Sequence, residues 1–399
     1  MKKISLIKSL FFCLLITACT PAKEKPLSEV IEEALAAAGQ QSLRMAQQLA
    51  GQDSVLPRSF INGEMVVSNS GWWCSGFFPG VLWYLYENNP TPELLAYARQ
   101  YTARILPEQY NTHTHDLGFM LYCSFGNGYR LTGDTAYRNV LLTGAKSLST
   151  RYNPAIGLIR SWDNTNGGKW QYPVIIDNMM NLELLFYASR ESGDPRYHAI
   201  SISHAGKTKE QHFRSDFSSF HVVSYDTITG APHVKQTHQG FSAGSSWARG
   251  QAWGLYGYTM AYRETKDPSY LEQARHIAHF LLSHPHMPDD YIPYWDFDAP
   301  DIPDELRDAS AGAIICSALI ELSGYVNEAL SGEYLAVVEK QLRTLASPEY
   351  TAEVGENGNF ILRHSVGHLP GNSEVDVPLT YADYYYVEAL MRYKKRLTE

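Results

Sequence analysis

Two aspartates carry the strongest chemical signal in the chain: Asp116 in His115-Asp116-Leu117-Gly118-Phe119 and Asp177 in Ile176-Asp177-Asn178-Met179-Met180-Asn181, each directly ahead of an apolar helical run. Two carboxylates at equivalent helix starts suit one shared acid–base site. Either alone has a plainer explanation, because aspartate is among the best helix N-caps and complements the positive end of the helix dipole. What favours chemistry is the pair, at matching positions after loops rich in His, Trp and Gly. A helix N-terminus depresses a carboxyl pKa whereas a general acid needs a raised one, so burial among aromatics and the second carboxylate must supply the upward shift.

Other residues group around this pair. Arg249 and Trp253 are four apart and share a helix face. Either they pack together with a solvated guanidinium, or Arg249 holds a carboxylate while the indole stacks on a ring. Gln239 lies in a segment too polar for core; His221 is either a surface strand residue or part of the site. Trp162 opens a Gly- and Asn-rich loop suited to a mobile rim, and Trp72 and Trp73 are core anchors or a platform. His113 and His115 point the same way only if extended, and no third ligand with workable spacing follows, so neither a metal site nor a cofactor is expected.

The elements that must hold these residues read as helices and little else. Apolar periodicity with start and stop signals gives twelve spans: 27–49, 74–87, 92–106, 116–131, 135–149, 177–191, 195–213, 246–265, 268–283, 308–322, 332–346 and 380–397. Gly133-Asp134-Thr135-Ala136-Tyr137, Gly193-Asp194-Pro195-Arg196-Tyr197 and Lys266-Asp267-Pro268-Ser269-Tyr270 each sit between two helices, with Asp as N-cap of the second; Ser331-Gly332-Glu333-Tyr334 is a weaker fourth copy. Recurrence of one helical hairpin implies stacking, and six hairpins closing on themselves make an (α/α)6 barrel. The short turns then lie at one rim, and the long connections 111–115, 153–176, 216–245 and 292–307 at the other. Each long connection runs into an even-numbered helix, so Asp116, Asp177 and Arg249 converge at one mouth. Gly250, Gly254 and Gly257 suit close helix approach in a crowded inner ring.

Composition narrows the partners. With 399 residues, 44% hydrophobic, the chain can bury a large core, and a net charge of −9 argues against nucleic acid. The 27 Tyr and 8 Trp supply rings with polar edges, useful walls for sugars. At the N-terminus, Lys2, Lys3 and Lys8 precede an apolar stretch, Leu10 to Ile16, too short to span a bilayer, and Ile16-Thr17-Ala18-Cys19 follows. This resembles a bacterial lipoprotein signal in which Cys19 becomes the lipidated first residue. The expected organisation is a leader over 1–19, a tether over 20–26 and one catalytic domain over 27–399, lipid-anchored in the periplasm or outer membrane. Three further cysteines, Cys74, Cys123 and Cys316, form no disulfide framework. The oligomeric state is not legible.

Taken in order, Trp-Cys-Ser-Gly-Phe-Phe-Pro-Gly at 73–80, His-Asp-Leu-Gly-Phe at 115–119, Ile-Asp-Asn-Met-Met-Asn at 176–181, Trp-Ala-Arg-Gly-Gln-Ala-Trp at 247–253 and Tyr381-Ala382-Asp383-Tyr384-Tyr385-Tyr386 give the chain a resemblance to the unsaturated glucuronyl hydrolases of glycoside hydrolase family 88. The resemblance implies an (α/α)6 barrel that removes the 4,5-unsaturated uronic acid left at the non-reducing end of oligosaccharides by polysaccharide lyases. It further implies Asp177 as acid/base, Asp116 as a second essential aspartate, and His221, Gln239, Arg249 and Trp253 around the unsaturated ring, with Trp162 as a stacking partner; of the Trp72–Trp73 pair, Trp73 is the expected platform for substrate. His368 and Ser373, in the 366–377 loop, are candidates for the leaving sugar. A related unsaturated rhamnogalacturonyl hydrolase acting on pectin fragments, or a glycan-binding lipoprotein without catalysis, are the competing expectations.

Overall fold

Helices whose apolar residues run all the way round must be buried on every side, and helices with one apolar stripe must lie outside them. That division sorts the twelve helices of the described residues, 24–398 of the computed structural model, into two layers. The inner ones are α2 (Phe77–Asn88), α4 (π-helical over Gly118–Gly126, then α-helical over Asn127–Thr132), α6 (Asn178–Ser192), α8 (Ala248–Thr265), α10 (Ala309–Ser323) and α12 (Thr380–Arg396). In α8 every residue from Ala248 to Ala261 is buried. The outer ones are α1 (Leu27–Leu49), α3 (Pro92–Ala103), α5 (Thr135–Ser149), α7 (Pro195–Gln211), α9 (Pro268–Ser283) and α11 (Glu328–Leu345), each burying one face. Each inner helix packs against the next, and α12 returns to α2, closing an (α/α)6 barrel.

The capped turns form as expected. Gly133, Gly193 and Lys266 end their helices in the left-handed conformation, and Asp134, Asp194 and Asp267 accept the N–H of Ala136, Arg196 and Ser269. The fourth turn differs: Ser331–Tyr334 lies inside α11, and Asn327 is the cap, accepting from Leu330 N–H. Of the glycines in α8, Gly257 permits the approach of α6, since a Cβ there would stand 2.5 Å from Met179 Cβ; Gly254 instead faces Phe213 and Ile277 of the outer layer.

The opposite rim is not bare loop. The connections 153–176 and 216–245 join in an antiparallel sheet of β5 (Tyr172–Ile175), β6 (Val222–Tyr225) and β7 (Pro232–Gln236). Two hairpins accompany it: β1 (Leu56–Ile61) with β2 (Glu64–Ser68), and β3 (Tyr152–Asn153) with β4 (Leu158–Ile159). These strands are two to six residues long, below the length at which alternation stands out from a buried run.

Candidate active site

Asp177 sits where β5 turns into α6, and His221 sits immediately before β6. Ile175 pairs with Val222, and Ile176 N–H donates to the His221 carbonyl at 3.1 Å, so the sheet itself brings the two side chains together. Neither Asp177 nor Asp116 acts as a helix cap. Asp134, Asp194, Asp267 and Asp308 each accept a backbone N–H at a helix start, whereas Asp177 has helical backbone angles and no capping bond, and Asp116 Oδ2 accepts the Thr114 hydroxyl at 2.7 Å. The capping explanation therefore fails for this pair alone.

Asp177 is 8% exposed, and its Oδ2 is buried without a hydrogen-bond partner. Burial raises its pKa to about 7; the nearby Arg249 charge and hydrogen-bond donors pull it down, and the Asp116 carboxylate pushes it up. His221 Nε2 stands 3.8 Å from Asp177 Oδ2. The His221 Nδ1 receives the backbone N–H groups of His238 and Gln239 at 3.2 and 3.1 Å, so Nδ1 is an acceptor and Nε2 carries the proton. Burial holds the ring well below its ordinary pKa, the charges of His238 and Arg249 adding to the effect. A neutral N–H donor and a carboxyl that stays protonated near neutrality thus face one small space, each with an unsatisfied buried atom.

Asp116 Oδ1 lies 3.3 Å from His115 Nε2, and His115 Nδ1 donates to the Ser161 carbonyl at 2.9 Å. His115 is thereby committed inward, while His113 is exposed beside Asp163. The two histidines do not share a site.

Asp116, Asp177 and His115 open on a cleft of about 260 Å³ lined by Trp73, Asp116, Trp162, Asp177, Gln239 and Arg249, together with Arg58, Trp72, His115, Ile175, His238, His368, Ser373, Glu374 and Tyr381, while the fully buried His221 ring is not part of its lining. Trp162 meets the His221 ring edge-on at 5.9 Å and lies 5.4 Å from Trp170. Trp73 is half-buried against Tyr381 at 4.9 Å. Gln239 Nε2 donates to the Gly367 carbonyl at 3.1 Å.

Two expectations change. Trp253 is fully buried, packed on Phe119 and Tyr385 at 5.1 and 5.4 Å, and does not line the cleft, so its indole has no face for a sugar; one turn deeper than Arg249, it forms the floor beneath Asp177. Arg249 reaches the cleft, but its terminal nitrogens are engaged: Nη1 donates to Asp308 Oδ2 at 3.0 Å and to the Val366 carbonyl, and Nη2 to the Gly367 carbonyl. Together with Gln239 it clamps the 366–367 backbone.

Arg58, His238, Glu374 and Tyr381 line the cleft without having stood out in the sequence. Tyr381 lies in the first turn of α12, within reach of the same inner-helix argument that finds Asp177; Arg58 sits at the register shift of the short strand β1 and Glu374 in an irregular segment, neither with a local signature. Cys19 lies outside the described residues. A larger cavity, about 360 Å³, occupies the far end of the barrel. Its carboxylates are engaged, Glu388 accepting from Tyr84, Tyr256 and Ser317 and Glu183 pairing with Arg263, with the Tyr187 hydroxyl left unpartnered; the unpartnered carboxyl oxygen of Asp177 is at the cleft end.

A family model described as Glycosyl Hydrolase Family 88 matches residues 57–395. An unsaturated glucuronyl hydrolase of Formosa agariphila is 49% identical over 321 residues, 80% of this chain and 79% of that protein. An unsaturated chondroitin disaccharide hydrolase of Streptococcus pneumoniae is 33% identical over 349 residues, 86% of this chain and 87% of that protein. Among solved structures, a crystal structure of an unsaturated glucuronyl hydrolase specific for heparin matches with a TM-score of 0.90 at 48% identity, covering 93% of this chain and 99% of that one.

Proposed function

The chain belongs to glycosyl hydrolase family 88, and from that membership we propose that it removes the 4,5-unsaturated uronic acid from the non-reducing end of glycosaminoglycan oligosaccharides produced by lyases, with Asp177 as the acid. One observation carries the assignment of the acid: the Asp177 carboxyl is buried, holds its proton to about pH 7, and has an unpartnered Oδ2 beside a neutral His221 N–H.

The unsaturated uronate is an enol ether. Protonation of C4 by Asp177 moves positive charge onto C5 and the ring oxygen, and water adds at C5. The carboxylate left on Asp177 accepts the proton of that water, so the group is restored in one cycle. The resulting hemiketal opens to a C5 ketone, C1 becomes a hemiacetal, and its collapse to an aldehyde expels the remaining sugar. The glycosidic carbon is never attacked, and the carboxylate-spacing rule for retaining and inverting glycosidases does not apply. His221 Nε2–H orients the ring or the water toward Asp177 Oδ2. Asp116 adds a second carboxylate that favours the protonated form of Asp177, and Trp73 and Trp162 offer aromatic edges and faces to the sugar. Arg249 acts through the backbone it holds.

The N-terminal Ile16-Thr17-Ala18-Cys19 supports a lipid anchor at Cys19 and a periplasmic or outer-membrane location, with residues 20–26 as tether and one catalytic domain from residue 27. Loss of the conjugated C4=C5 absorbance on mixing with lyase-generated disaccharides tests the activity. Unchanged absorbance across glycosaminoglycan disaccharides would refute it, and turnover of pectin-derived fragments instead would give the activity to the rhamnogalacturonan class.

A further inference from the structure

A substrate that carries a sulfate as well as a carboxylate calls for more than one cation, and Arg249 has three of its five N–H groups committed to the protein. Arg249 spends its terminal nitrogens on Asp308 and on the Val366 and Gly367 carbonyls. The other arginine of the cleft is Arg58. It donates only through Nε, to Glu374 Oε1, and its guanidinium lies over the Trp72 ring at 4.0 Å. Both terminal nitrogens are left for a ligand.

The backbone places Arg58 there deliberately. Along β1, Pro57 pairs with Val67 and Ser59 with Val66, so Arg58 is the extra residue of a β-bulge, a device that re-aims one side chain out of the alternation of a strand. Its partner Glu374 adopts φ of 57°, a left-handed conformation that is unfavourable for a non-glycine residue and persists where surrounding contacts fix it. Those contacts are present: Gly367 N–H donates to the Glu374 carbonyl at 2.6 Å, and a Cβ on Gly367 would stand 2.7 Å from the Glu374 side chain. A bulge on one side and a strained residue on the other hold one guanidinium at the edge of the cleft.

Depth in the cleft says what it meets. At the reaction end the side chains of His221, Arg249 and Asp177 are 0%, 1% and 11% exposed, while Arg58 is 22% and the residue Trp72 37% exposed. An enzyme acting on a terminal uronate takes that ring inward and leaves the departing sugar toward solvent. Resting on the proposed function, we infer that Arg58, set by Glu374 and Trp72, is a specificity residue that binds a sulfate on the leaving hexosamine.

Affinities measured by calorimetry in an Asp177→Asn background make the outcome independent of turnover. The ligands are the unsaturated uronate linked to N-acetylglucosamine, to its 6-sulfate, and to N-sulfated glucosamine. Arg58→Gln should weaken at least one sulfated ligand by ~10–100-fold relative to the unsulfated one, the range of a charge-assisted contact. Glu374→Gln removes the neighbouring negative charge and should move the same ratio the opposite way. Equal losses on all three ligands in both variants would make Arg58 a strut of the 366–374 segment or a partner of the uronate itself, and an unchanged ratio would remove it from recognition; each overturns the inference. The parent reading is judged separately, by whether the unsubstituted enzyme bleaches the C4=C5 absorbance.

Discussion

Replacing Asp177 by Asn should make the protein more stable, and more so as pH rises. In the folded chain the carboxyl keeps its proton to about pH 7, against 3.8 for the ordinary group, and the first cause is burial. Between those values the unfolded chain has released a proton that the folded chain retains, so stability falls as pH rises through the window and stays lowered above it. At 1.36 kcal/mol per pKa unit the penalty is about 2 kcal/mol at pH 5 and about 4 kcal/mol at pH 8.5. Asn carries no such penalty. With about 2.1 cal/mol/K of unfolding entropy per residue over roughly 375 residues, each kcal/mol is worth about 1.3 °C. The Asn variant should therefore gain about 3 °C more over the native protein at pH 8.5 than at pH 5, measured by calorimetric melting at fixed ionic strength. Asp383 and Glu183, also raised by burial to about 7, add the same pH dependence to both proteins, and any fixed effect of the new amide cancels in the difference. An identical offset at the two pH values would mean that Asp177 ionises normally in the folded protein, and would remove it as the acid.

Turnover should follow the same group: Asp177→Asn and Asp116→Asn should each lower it at least ~100-fold with the fold intact, and native activity should fall as pH rises through about 7, read from initial absorbance rates; near-normal rates for Asp177→Asn would exclude it. Arg249→Ala leaves Asp308 buried without its partner and frees two carbonyls, so it should cost about 3–5 kcal/mol in denaturant unfolding and reduce activity toward all substrates alike; a stable variant with a selective loss of uronate affinity would return Arg249 to direct anion binding. Full-length protein made in a bacterium should partition with membranes and take up lipid label that Cys19→Ala abolishes, whereas efficient cleavage elsewhere without lipid would indicate a soluble periplasmic protein.

The barrel was legible because its signals are local. Span 27–49 coincides with α1, 135–149 with α5 and 268–283 with α9, each bounded by a cap or an apolar stripe that needs no knowledge of the rest of the chain. Where a boundary moved, a distant contact moved it. The start of the fourth helix opens as a π-helix because α4 is pressed against α6: Phe119 N–H turns to Asn181 Oδ1 at 2.9 Å, and a Cβ on Gly118 would stand 2.5 Å from Asn181 Cα. The strand β6, beside which His221 sits, exists only because two connections pair across the rim. Spacing put Asp116 and Asp177 at one mouth, but the facing of Trp253 and the engagement of Arg249 depend on partners 59 to 134 positions away in sequence, Phe119, Asp308, Val366, Gly367 and Tyr385. Arg58 is the extreme case, a bulge residue whose partner is 316 positions distant.

In the proposed mechanism the reaction proceeds through C4 of an enol ether and not at the glycosidic carbon. A thio-linked unsaturated disaccharide compared with an oxygen-linked saturated glucuronide of the same leaving sugar separates the two routes. Hydration predicts that the thio-linked compound loses its C4=C5 absorbance and releases its thiol sugar, because the exocyclic bond breaks only after water has added, while the saturated glucuronide is inert. Rapid hydrolysis of the saturated glucuronide together with an unreactive thioglycoside would contradict it, even if both aspartates proved essential.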